Sequence, residues 1–116
     1  MISSIAAIAQ VEQQDCDIVK SATKMMEKGD DGSSYYRVDG DWFYDYSNNG
    51  KEYIKSKIEW QDDCTYMLTL VETNMPNFAL EYGTKLRVQI TEVNGNEASY
   101  EYLPIGTIPG GVLIIE

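Results

Sequence analysis

The sequence predicts an all-β protein, an antiparallel meander that forms a partial or closed barrel, with a β-sandwich as the alternative. Three observations carry this expectation. From Ser33 onward apolar residues recur with a period close to two, the mark of half-buried strands. Turn signals such as Asp39-Gly40, Ser47-Asn48-Asn49-Gly50 and Asn94-Gly95 cut the chain at short intervals. Nine tyrosines stand against two phenylalanines, a composition suited to strands with one wet face. Seven or eight short antiparallel strands must stack as two sheets or close on themselves to hide their edges, and consecutive hairpins favour a meander.

The elements follow in order. Residues 16–28 carry Val19, Ala22, Met25 and Met26 at helical spacing, yet Ile18, Ala22 and Met26 share a face at period two, so periodicity leaves helix and strand both open. Gly29-Asp30-Asp31-Gly32 is a turn. Residues 33–38 and 42–46 form a hairpin through Asp39-Gly40. Residues 51–60 put Ile54, Ser56, Ile58 and Trp60 on one face and Lys51, Lys55, Lys57 and Glu59 on the other. After Gln61-Asp62-Asp63, Cys64, Tyr66, Leu68 and Leu70 line the returning strand. Pro76 interrupts the pattern, and Phe78 and Leu80 are expected to cover an open end of the core. Leu86, Val88 and Ile90 lead to Asn94-Gly95, where a type I′ turn is expected, and Ala98, Tyr100 and Tyr102 return inward. Residues 112–115 are apolar on both faces, which fits a central strand or the seam of a barrel.

The chain has 116 residues, enough for one modest core, and reads as a single β domain over residues 10–116. Nine Lys plus Arg against nineteen Asp plus Glu give a formal charge of −10. Polyanions are repelled by such a field, so nucleic acid is not an expected partner. The absence of histidine excludes Ser-His-Asp and Cys-His catalysis and imidazole metal sites. No stretch is long and apolar enough for a membrane-spanning helix. Residues 1–9 are apolar and uncharged, and Ala7-Ile8-Ala9 has the small-x-small form of a signal-peptidase site, so they are read as the remnant of an export signal. Export to the periplasm or the extracellular space would leave Cys16 and Cys64, the only cysteines, paired in a disulfide; in a reducing compartment they would be buried thiols.

The stretch from Ile54 to Leu68, with Trp60, Cys64, Tyr66 and Leu68 in the pattern W-x-x-x-C-x-Y-x-L after the early Cys16, resembles a group of small exported, mostly uncharacterised proteins of Bacteroidetes. The resemblance spans residues 16–103 and is specific across 54–72. It implies a lipocalin-like barrel and a strand rather than a helix after Cys16. The glycine and aromatic that the group places soon after its first Cys are missing here, where Ala22 and Met25-Met26 stand instead. The resemblance carries no catalytic residues.

Candidate chemistry is sparse. Trp42, Tyr44, Trp60, Tyr66, Tyr100 and Tyr102 lie on expected strands and are the candidates to line an interior that binds a small apolar or amphipathic ligand; cross-strand packing would equally account for them. Asp39, Asp41 and Asp45 gather near one hairpin but lack Ca²⁺-loop spacing and read as turn chemistry, as do Asp30-Asp31 and Asp62-Asp63. No metal, cofactor or catalytic set is expected. The functional expectation is a non-enzymatic exported barrel with a small ligand, and the alternative is an envelope-associated structural or protein-interaction module; the residues do not specify oligomeric state.

Overall fold

The computed structural model describes residues 15–116, so the export-signal reading of residues 1–9 lies outside the described part. One helical turn, α1 (Asp17–Lys20), precedes eight strands: β1 (Met25–Glu27), β2 (Tyr35–Asp39), β3 (Trp42–Ser47), β4 (Glu52–Trp60), β5 (Thr65–Thr73), β6 (Lys85–Asn94), β7 (Glu97–Leu103) and β8 (Gly111–Ile115). Each strand pairs antiparallel with the next, and β8 returns to β1, so the sheet is a closed, lipocalin-like up-and-down barrel. The sandwich alternative is thereby set aside. Closure removes every sheet edge, and β8, apolar on both faces, forms the seam.

The strand expected directly after Cys16 is corrected. Residues 17–20 coil into α1, and the first strand starts only at Met25. Val19, Ala22 and Met25 are all buried at a spacing of three, so the helical periodicity marked the core positions even though the helix itself is brief. Chain direction changes at Ala22, whose carbonyl accepts from the Val38 amide at 2.9 Å.

Two hairpins also differ from expectation by one residue. Asp39 pairs with Trp42 and Asn94 with Glu97, so the two-residue loops are Gly40-Asp41 and Gly95-Asn96. Positive φ occurs at Gly40 (61°) and Gly95 (65°) but not at their partners. Glycine therefore occupies the first loop position, where a II′-like hairpin needs it, and the expected I′ turn at Asn94-Gly95 is not formed.

The strand registers place the loops spanning 28–34, 48–51, 74–84 and 104–110 at one end of the barrel and α1 with the tight hairpins at the other. The α1 end is filled by Cys16, Val19, Ala22, Met25, Val38, Ile58, Ile90 and Ala98. Cys16 is joined to Cys64 in a disulfide with a Cα–Cα distance of 5.4 Å and a sequence separation of 48. The bond ties α1 to the connection between β4 and β5. The barrel is thus plugged at one end and left for its loops to shape at the other.

β1 is the shortest strand. It meets β2 at Met25 opposite Tyr36, and β8 along Met25–Glu27.

Candidate functional site

Period-two alternation decides which side chains enter the barrel. On β2 it sends Tyr36 and Val38 inward, and on β3 it does the same for Phe43 and Asp45. Inward residues of β4 to β8 include Ile54, Ser56, Tyr66, Leu68, Leu70, Leu86, Val88, Tyr100, Tyr102 and Leu113. Above the filled end these side chains leave a cavity of about 180 Å³, with Phe78 and Leu80 from the loop between β5 and β6 over its mouth. Leu80 keeps 55% of its surface exposed there, as expected of a residue at an opening rather than in a core.

Polar groups in this cavity are few and gathered. Glu27, at the end of β1, accepts hydrogen bonds at Oε2 from the Tyr36 hydroxyl at 2.8 Å and from the Tyr100 hydroxyl at 2.5 Å. Gly111 makes room for this carboxylate: a Cβ there would lie 2.6 Å from Glu27 Oε1. Asp45 enters from β3, and its carboxylate makes no hydrogen bond or ion pair with any described residue. Burial, and then the charge of Glu27, push its carboxyl from an ordinary 3.8 up to about 6. Burial also raises the phenols of Tyr36, Tyr66, Tyr100 and Tyr102, and the hydrogen bonds to Glu27 add to the effect at Tyr36 and Tyr100.

Tyr66 is only 3% exposed, yet its hydroxyl donates to and accepts from no described residue. No unpartnered polar side-chain atom among the described residues is sealed from solvent. The Tyr66 oxygen therefore opens onto the cavity that its ring helps to line. Its ring packs against Trp60 at 4.8 Å and Phe43 at 6.3 Å between centroids, which fixes where the hydroxyl lies.

The six residues singled out in the sequence divide accordingly. Tyr66, Tyr100 and Tyr102 line the cavity. Trp60 backs Tyr66 and sits beneath the Lys20 ammonium, 4.8 Å from its ring, on the α1 side. Trp42 and Tyr44 are corrected: they alternate with the inward Phe43 and Asp45 and so lie on the outer surface. There Lys55 covers Trp42 at 4.3 Å and Arg37 covers Tyr44 at 4.5 Å. Glu27 and Asp45 were missed as site residues. Asp45 could have been found from its parity with Phe43, whereas Glu27 lay in the segment whose period was ambiguous.

The remaining acidic pairs behave as turn chemistry. Asp30 and Asp31 accept from the Gly32 and Ser33 amides at 2.8 and 2.9 Å, and Asp62 from the Cys64 amide at 2.9 Å. These bonds hold the Asp31 and Asp62 carboxyls below their usual range. Among the described residues no group of three or more acidic or cysteine side chains is arranged to hold a metal ion, and no helix is long and apolar enough to cross a membrane.

No protein-family model, curated protein or solved structure matches this chain. The functional reading therefore stands on the geometry of the barrel.

Proposed function

We propose that this protein is a non-enzymatic, exported binding domain whose barrel takes up a small apolar or amphipathic ligand through the end shaped by residues 74–84. The observation that carries the reading is the unfilled cavity of about 180 Å³ with apolar walls and a Tyr66 hydroxyl left without a partner. Barrels of this size are often packed solid by their own side chains, and a dry apolar hole of about 150 Å³ already accepts a benzene-sized guest. The absence of histidine supports the non-enzymatic part. The disulfide supports export, because such bonds persist in oxidising compartments. Likeness to the small exported proteins with the W-x-x-x-C-x-Y-x-L pattern agrees with this assignment.

The test is a fluorescence titration of the Trp42→Phe protein, in which Trp60 against Tyr66 is the remaining tryptophan reporter. Saturable changes with some members of a panel of lipids, sugars and aromatic compounds are expected. Silence across the panel, with no heat in calorimetry, overturns the proposal. A free-thiol count on protein purified from its native host tests export: none is expected, and two would refute it.

A second reading rests on the outer face of β2–β4. Tyr35 stacks on Tyr46 at 4.9 Å and Tyr44 on Tyr46 at 5.8 Å, flanked by Arg37 and Lys55. Such a stripe suits a protein-interaction module. Under this reading Tyr44→Ser and Tyr46→Ser abolish self-association or partner capture while ligand titrations stay silent.

A further inference from the structure

Resting on the ligand-binding reading above, we infer that the barrel selects an amphiphile with a positively charged amine head, which the carboxylates of Glu27 and Asp45 receive while the apolar tail fills the cavity.

The argument begins with the walls. Phe43, Leu68, Leu70, Leu86, Val88 and Leu113 give the cavity an apolar lining, and no Lys or Arg is part of it. Two carboxylates enter this space without a cation. Neither Glu27 nor Asp45 belongs to any ion pair among the described residues. The charged group that acts on Asp45 is Glu27 from β1, and Asp45 in turn acts on Tyr36 from β2 and Tyr102 from β7; none of these brings positive charge. Both carboxylates are half-buried, and a half-buried charge without a counter-charge is unfavourable, a penalty that a bound cation offsets.

Hydrogen-bonding capacity points the same way. The Tyr36 and Tyr100 protons are already committed to Glu27 Oε2. An ionised Asp45 offers only acceptors, and each tyrosine oxygen retains accepting lone pairs. The Tyr66 oxygen, 97% buried by residue and unpartnered, faces the same space. An ammonium brings three N–H donors and no acceptor, so it matches the carboxylates and phenol oxygens together. A carboxylate or phosphate head would meet like charge, and an alcohol would leave the charge uncompensated.

The experiment is isothermal titration of the intact, oxidised protein at pH 7.5 with three probes of equal tail length: octylamine, octanol and octanoate. Octylamine is expected to bind roughly tenfold or more tightly than octanol, and octanoate the weakest. In Glu27→Gln and Asp45→Asn proteins the preference for amine over alcohol is expected to fall below about threefold. The wild-type comparison needs no variant to fold. Equal binding of all three heads, or tightest binding of octanoate, overturns the amine assignment and leaves the ligand-binding proposal standing. Failure of all three, together with silence across the broader panel, overturns both.

Discussion

Asp45 makes a quantitative prediction. Its carboxyl titrates near 6 in the folded protein, against an ordinary value of 3.8. The folded state therefore binds this proton more tightly than the unfolded chain does, so stability falls as pH rises from about 4 to about 6 and stays reduced above that window. A change from 3.8 to about 6 corresponds to about 3 kcal/mol of destabilisation at pH 7. Asp45→Asn keeps the size of the side chain and removes the charge. The variant is expected to match wild type near pH 3.5 and to exceed it by about 2–3 kcal/mol at pH 7. Urea unfolding followed by tryptophan fluorescence measures this directly. With a slope of about 1.5 kcal/mol per molar urea, the midpoints separate by about 2 M at pH 7 and converge in acid. Asp41→Asn, on an exposed hairpin, is the control for loss of one negative charge, and its effect is expected to stay within about 0.5 kcal/mol. A constant gap between Asp45→Asn and wild type from pH 3.5 to 7.5, or a less stable variant at pH 7, refutes the reasoning.

Other outcomes follow from the same geometry. Replacing Cys16 and Cys64 together with serine removes a cross-link spanning 48 positions, and chain entropy sets the expected loss at about 4 kcal/mol at most, read from urea midpoints under oxidising conditions. Tyr66→Phe deletes a hydroxyl without a partner and is expected to change stability by less than about 0.5 kcal/mol, whereas Tyr100→Phe deprives Glu27 of a donor and is expected to cost about 1–3 kcal/mol. Ala98 is fully buried, so Ala98→Leu overpacks the α1 end and is expected to cost about 1–3 kcal/mol in the same assay. Tyr44→Ala, on the outer surface, is expected to leave octanol affinity within twofold in calorimetry, which would fail if the ligand instead bound that face.

Much of the barrel was legible because alternation and turn residues act locally. Ile54, Ser56 and Ile58, or Tyr66, Leu68 and Leu70, declare their face by position alone, and the covering role expected of Phe78 and Leu80 followed from Pro76 ending a strand. The segment after Cys16 was less legible, since a single helical turn and a three-residue strand are each too short to impose a period. The candidate site was read only in part. Ranking aromatics by type placed Trp42 and Tyr44 beside Tyr66, although parity with Phe43 sends them to opposite sides of the sheet. The carboxylates were passed over because sequence gives no measure of burial, and Asp45 differs from Asp39 and Asp41 chiefly in that respect.

The brevity of β1 has a consequence for how occupancy would be felt. Main-chain pairing of β1 with β2 is slight, and the Glu27 carboxylate reaches both ways, to Tyr36 on β2 and Tyr100 on β7. On the proposed reading the same side chain works as a latch on the barrel wall and as a greeter of guests. Local opening should concentrate here, and amide hydrogen exchange at Met25–Lys28 is the gauge: a guest that engages Glu27 slows exchange at these amides, while one lodged only among the leucines leaves their breathing unchanged.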